Sequence, residues 1–66
     1  MIRIKKNNNF EIEQDIDFRL NGGPFIKKGL KMKVLIVRRD KKEVFVDIEE
    51  IGRRRLDIKY LTKEIN

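Results

Sequence analysis

The residues of this sequence that are best suited to chemistry are its cations, which occur in short groups. Three arginines stand together in IGRRRLDIKY, and residues 27–42 hold eight basic groups against one acid. A guanidinium donates two parallel hydrogen bonds to a phosphate, and several such contacts release counterions from a nucleic-acid backbone. The pattern predicts a small basic domain that binds DNA or RNA through phosphates, without strong sequence specificity. The candidate residues are Lys31, Lys33, Arg38, Arg39, Lys41, Lys42, Arg53, Arg54 and Arg55.

The acids of the chain offer a second explanation for the same cations. They fall into two bands, residues 11–17 and 43–50, and each band has a charge of −4. Neighbouring acidic and basic strands form ladders of opposite charge, in which each pair contributes about 0.2–1 kcal/mol. Because 17 basic groups face 11 acids, with a net charge of +6, pairing neutralises only part of the excess. An acidic protein partner is a third interpretation.

The residue types that are missing exclude many kinds of active site. The sequence has no cysteine, histidine or serine, so it builds no Ser-His-Asp or Cys-His arrangement and no thiolate or imidazole metal site. We therefore expect a protein that is not an enzyme and holds no metal or cofactor. Phe10, Phe18 and Tyr60 follow the apolar positions of predicted strands. Backbone contact is thus favoured over the stacking of bases on exposed rings.

An apolar cluster provides a competing hypothesis about function. Leu35, Val37 and Phe45 fall on the face opposite the predicted core, and a small monomer rarely exposes such a patch. The cluster predicts a protein interface, either a homodimer or a complex with an acidic partner that the cations attract. A protein of this kind would suit a phage or mobile element as a small regulator. Coverage by the protein's own chain is the alternative.

The elements that must position these residues have a period of two, which is typical of strands. In residues 10–20 apolar and charged side chains alternate, with a bend expected near Gln14. The asparagines at 7–9 suggest a three-residue hairpin loop that pairs Ile4 with Ile12 and keeps Ile2 on the same face. The clearest turn in the chain is NGGP, residues 21–24.

A second hairpin is predicted between residues 30–38 and 43–49. Val34 and Ile36 would face inward from the first strand, and Val44, Val46 and Ile48 from the second. For these side chains to meet on one face, the two residue numbers of each cross-strand pair must sum to an even value. The RRDKK turn should therefore have a loop of three or five residues.

The last third of the chain is consistent with two structures. Leu56, Ile58 and Tyr60 alternate like a fifth strand at 54–60, followed by a short helical turn at 61–65. Alternatively, Asp47 and Glu50 resemble the start of a helix, which would cap a four-stranded meander. Arg53 and Arg55 would project to solvent from the strand, and Arg54 toward the apolar side.

Four or five strands in 66 residues are most simply closed into a barrel, because an open sheet exposes its edges. We expect one mostly β domain over residues 1–66, a five-stranded, strongly bent antiparallel barrel of SH3-like or OB-like form with a C-terminal helical turn. The stretch FIKKGLKMKVLIV resembles the opening of KOW and related SH3-like domains, although Leu30 replaces the usual acid and the second glycine-rich turn is missing. With no stretch of about 20 apolar residues, we expect a cytoplasmic protein without a membrane partner.

Overall fold

The structure is a computed structural model that describes residues 4–65. Strands hold 47% of these residues and none of them is in an α-helix, so the prediction of a mostly β protein is confirmed. Three 3₁₀ turns, at Arg19–Asn21, Arg39–Lys41 and Ile58–Tyr60, join some of the strands. The strands are β1 (Asn9–Glu11), β2 (Ile16–Asp17), β3 (Phe25–Ile26), β4 (Lys31–Arg38), β5 (Glu43–Ile48), β6 (Gly52–Asp57) and β7 (Lys63–Glu64).

The strands form two antiparallel sheets. The main sheet has the order β6-β5-β4-β1-β7, and β2 and β3 form a separate hairpin around the predicted NGGP turn. The predicted closed barrel is wrong, because over residues 4–65 the end strands β6 and β7 do not pair with each other. The edges are protected in another way: β7 is only two residues long, and β6 carries three arginines that oppose strand-to-strand aggregation.

The core lies on one face of the main sheet and is closed by the β2–β3 hairpin. As predicted, Val44, Val46 and Ile48 of β5 are buried, and Met32 and Val34 of β4 meet them. Burial of such side chains is the main stabilising term available to a chain without disulfides. The other buried apolar side chains are Ile4, Phe10, Ile12, Ile16, Ile26, Leu56 and Leu61.

A β-bulge at Leu35 changes the predicted face of the residues that follow it. Val34 pairs with Val46, but Ile36 pairs with Phe45, so Leu35 is an extra residue in β4. The loop between the strands has four residues, not three or five, and the bulge restores the even register of the core. As a result Ile36 points outward and is 55% exposed, whereas Val37 packs against the core. The predicted orientations of both residues are therefore wrong.

The predicted hairpin between Ile4 and Ile12 does not form. Asn7 has a left-handed backbone (φ 72°), and the turn around it directs residues 4–8 along β4 instead. The backbone N–H of Asn7 donates to the Val34 carbonyl at 2.8 Å, and the Val34 N–H donates to the Asn8 carbonyl at 2.9 Å. Ile4 still reaches the core, and Ile2 lies outside the described residues.

The C-terminal third forms a strand, a 3₁₀ turn and a second strand. The helical alternative is wrong because Glu50 (φ 69°) and Gly52 (φ 96°) adopt backbone conformations that a right-handed helix excludes. The predicted strand at 54–60 ends at Asp57, whose carboxylate accepts a hydrogen bond from the Lys59 N–H at 2.9 Å. The predicted C-terminal helical turn is only a 3₁₀ turn, and it lies at Ile58–Tyr60 and not at 61–65, where β7 pairs with β1.

The bulge can be tested with two isoleucines of opposite exposure. Ile48→Ala removes a side chain that is 1% exposed and should lower the free energy of unfolding by about 2–5 kcal/mol. Ile36→Ala removes one that is 55% exposed and should cost less than about 1 kcal/mol. Urea denaturation followed by circular dichroism measures both. Equal losses would contradict the outward position of Ile36.

Candidate nucleic-acid interface

The structure separates the nine predicted phosphate-binding residues into three groups. We call Lys31, Lys33, Arg53 and Arg55, which project from the outer face of the main sheet, the sheet-face group. Arg38, Arg39, Lys41 and Lys42, at and beyond the end of β4, are the turn group. Arg54 stands alone because it pairs with the buried Val46 and so projects from the opposite face of β6.

The sheet-face group is interleaved with acids. Asp47 lies between Lys33 and Arg53 in the register of the sheet, and Glu11 lies opposite Lys31. Lys63 completes this second row, with its ammonium 3.1 Å from the Glu11 carboxylate. These rows are the ladders of opposite charge that the sequence allowed as an alternative. Their positive potential is reduced accordingly.

Arg55 is also engaged within the sheet. Its Nε lies 3.7 Å from a carboxylate oxygen of Glu43, and in register it stands beside Phe45. The arginine side chain of this pair is two-thirds exposed, so the ion pair is screened by water and contributes little to stability. The pair nevertheless reduces the charge that Arg55 presents to a ligand.

The turn group is held by a compact turn, and its first member, Arg38, lies opposite Glu43 in the register of β4 and β5. The 3₁₀ turn ends at Lys42, whose backbone is left-handed (φ 53°) and whose N–H donates to the Arg39 carbonyl at 3.2 Å. The Lys42 carbonyl in turn accepts from the Ile58 N–H at 2.9 Å. Asp40 is the one acid in the turn, and over residues 4–65 none of the four cations has a carboxylate within 4.0 Å.

Lys5 and Lys6 lie beside the turn group. The sequence patterns did not predict this position. The Arg39 guanidinium donates to the Ile4 carbonyl and so fixes the N-terminal segment against the turn. A shallow groove of about 520 Å³ results, with apolar walls and a basic rim. Its lining residues are Ile4, Lys5, Lys6, Leu35, Ile36, Val37 and Arg39.

The predicted apolar interface of Leu35, Val37 and Phe45 is not assembled as expected. The bulge turns Val37 to the core, and Ile36 takes its place on the outer face opposite Phe45. Leu35 and Phe45 remain partly exposed. The apolar patch therefore consists of Leu35, Ile36 and Phe45, and its first two residues lie in the wall of the basic groove.

Arg54 projects from the core side of β6, as predicted, and its long side chain still reaches solvent. It lines a second groove, of about 260 Å³, between β6 and the β2–β3 hairpin. Phe18 provides the apolar floor, supported by an edge-to-face contact with Tyr60 at 6.3 Å between ring centroids. Gly22, Gly23 and Pro24 form the facing wall.

A cation outside the predicted set is held tightly by the hairpin. Arg19 donates from Nε and Nη2 to the two carboxylate oxygens of Asp17, both at 2.9 Å, and its guanidinium lies 5.0 Å from the centroid of Phe25. Hydrogen bonds from the Arg19 side chain and backbone lower the pKa of Asp17 from 3.8 to about 2. Arg19 is thus a structural residue of the hairpin.

Two further observations limit the kinds of site that residues 4–65 contain. No group of three or more acidic side chains is placed to hold a metal ion, and no helix is long and apolar enough to cross a membrane. Comparison of the chain with known families, with curated proteins and with solved structures gives no match.

The Asp17–Arg19 pair generates a prediction about pH. Since folding lowers the pKa of Asp17, the pair's contribution to stability is complete above pH 3.8 and is lost as the pH falls through about 2. A carbon-13 NMR titration should therefore give a midpoint of about 2 for the Asp17 carboxyl group in the native protein. In Arg19→Gln the midpoint should return toward 3.8. A native midpoint near 3.8 would contradict the pairing.

Proposed function

We propose that the protein binds the phosphate backbone of nucleic acid at the basic groove and the adjoining turn. The phosphates are bound by Lys5, Lys6, Arg38, Arg39, Lys41 and Lys42. The observation that supports this proposal is the hydrogen bonding that fixes residues 4–8 beside the second half of β4. Two segments of the chain thereby place Lys5, Lys6 and Arg39 around one groove, next to a turn whose single acid is Asp40.

The charge around this groove suits a polyanion better than the charge on the sheet face. Each cation of the sheet-face group has an acid opposite it or beside it in the sheet, whereas in the turn group, within residues 4–65, only Arg38 lies opposite an acid, Glu43. Duplex DNA places one negative charge about every 1.7 Å along its axis, so a cluster of this size binds several phosphates at once. Lys31, Lys33, Arg53 and Arg55 would add a weaker secondary attraction.

The aliphatic lining of the groove favours backbone contact over base recognition. The uncharged residues that line the groove are the aliphatic Ile4, Leu35, Ile36 and Val37. None of the described residues that line it is aromatic. Base stacking requires exposed aromatic faces. Binding should therefore show little preference among sequences and a steep dependence on salt, because the surface neutralises phosphates and does not reach base edges.

We also propose that the fold is related to SH3-like domains. The support is the long strand β4, which pairs with β1 through its first half and with β5 along most of its length, together with the 3₁₀ turn before β7. SH3-like folds often bind nucleic acid, which is in keeping with the proposed site.

A second candidate function is protein binding through the apolar patch of Leu35, Ile36 and Phe45. The observation in its favour is the exposure of Ile36, which is 55% accessible at the rim of the basic groove. A homodimer or an acidic protein would bury this side chain. Phe45→Ser should then abolish the complex while leaving nucleic-acid binding within about twofold, because Phe45 does not line the groove and the substitution changes no charge.

The leading proposal is tested with two variants of equal charge. Lys5→Gln/Lys6→Gln/Lys41→Gln removes two cations that line the groove and one from the adjoining turn, and Lys27→Gln/Lys28→Gln/Lys59→Gln removes three outside the proposed site. The first should lower affinity for a duplex at low salt by more than about tenfold. It should also reduce the slope of log K against log salt by about 0.9 for each phosphate that is no longer neutralised. The second should change both quantities much less.

Fluorescence anisotropy with duplex and single-stranded oligonucleotides, at low and moderate salt, measures these effects. Several unrelated duplex sequences serve to test for the expected lack of specificity. The native protein must bind at low salt for the proposal to survive. Equal losses in the two triple variants would indicate attraction by net charge alone and would remove the assignment to the groove.

A further inference from the structure

We propose that the open edge of β6 is a binding site for an extended acidic segment of a partner protein, which adds to the sheet as a sixth strand. β6 is six residues long and, within residues 4–65, pairs only with β5, so its other edge carries unpaired backbone N–H and C=O groups. None of residues 53–57 makes a further backbone hydrogen bond in the described part of the chain. Such an edge is a template for main-chain pairing with an extended peptide.

The side chains of this edge indicate which charge a bound strand should carry. Arg53 and Arg55 project from the outer face and Arg54 from the other, so a strand added beside β6 meets cations on both faces. Over the described residues, Arg53 and Arg54 have no carboxylate within 4.0 Å, and Arg55 has only Glu43, at 3.7 Å. Opposite charges on neighbouring strands stabilise pairing, so the edge selects acidic residues.

A second copy of this chain is a poorer occupant than an acidic segment. In a symmetric antiparallel pairing centred on Arg54, that residue meets its own copy and Arg53 meets Arg55, which places like charges opposite each other. Asp57 would offset this repulsion in a shifted register, but its carboxylate already accepts a hydrogen bond from the Lys59 N–H at 2.9 Å. The edge therefore disfavours homodimers.

The groove beside Arg54 adds a preference for alternation. Phe18 and Pro24 line it together with Arg54 and Arg55, so on this face the added strand meets an apolar wall beside an arginine stem. On the outer face it meets the guanidinium groups of Arg53 and Arg55. A segment with acidic residues at every second position and aliphatic residues between them satisfies both faces.

The probe is a fluorescent nine-residue peptide of alternating glutamate and valine. Matched controls are a peptide with lysine in place of glutamate and one of the same composition without alternation. The first peptide should bind most tightly, and its binding should slow amide hydrogen exchange at residues 53–57, as expected of new main-chain hydrogen bonds. Arg53→Glu/Arg55→Glu should lower its affinity by at least about tenfold and make the lysine peptide the better ligand.

An NMR spectrum of the backbone amides, compared with that of the native protein, checks that the charge-reversal variant Arg53→Glu/Arg55→Glu is folded. Lys27→Glu/Lys28→Glu is a control with the same change of net charge. The proposal is overturned by equal affinity for all three peptides, by protection that maps away from residues 53–57, or by concentration-dependent dimerisation through this edge. It is also overturned if an oligonucleotide, and not the peptide, protects β6. Because the phosphates at the proposed nucleic-acid groove are bound mainly by other residues, and Arg53 and Arg55 add only a weaker attraction, loss of either activity leaves the other measurable.

Discussion

The arrangement of this domain depends on one extra residue in its longest strand. Leu35 interrupts the pairing of β4 with β5, so Val34 and Val37 both face the core while Ile36 faces outward. If Leu35 were paired regularly, a four-residue turn would align Lys33 with Ile48 and turn the first half of β4 away from the core, since the side chains of a strand alternate. The bulge thus joins a turn of this length to a continuous core, and it forms the apolar wall beneath the basic groove.

The same register explains why a chain with a net charge of +6 does not present a uniform basic surface. Within the sheet each position has fixed neighbours, and Asp47 is therefore held between Lys33 and Arg53. Beyond the end of β4 the chain leaves the ladder, and the cations there lie outside the paired strands that would supply acids. Cations without a cross-strand acid are therefore concentrated where regular pairing stops, and among the described residues no strand pairs with the outer edge of β6.

Local patterns in the sequence were enough to predict some of this structure. Alternation identified the strands, the inward face of Val44, Val46 and Ile48, the NGGP turn and the position of Arg54. The bulge was not predictable, because it depends on a turn of four residues that lacks glycine and on the packing of Val37 against the core. Lys5 and Lys6 were missed because their position depends on Asn7 bonding to Val34, which is 27 residues away in sequence, and no local signal indicates that pairing. The 3₁₀ turn at Ile58–Tyr60 ends the extended strand but keeps the side chains of Ile58 and Tyr60 packed against the core. Their apolar spacing alone therefore suggested a longer strand.

The pairing of β1 with β7 has a consequence for how the chain folds. Asn8 donates from its side-chain amide to the Glu64 carboxylate at 2.7 Å, across a separation of 56 residues. Closing so large a loop costs entropy before any contact offsets it, whereas β4, β5 and β6 are joined by short turns. The meander of these three strands is therefore expected to assemble first and the short final strand to dock last. Folding should take milliseconds to seconds, as is typical of domains with many distant contacts.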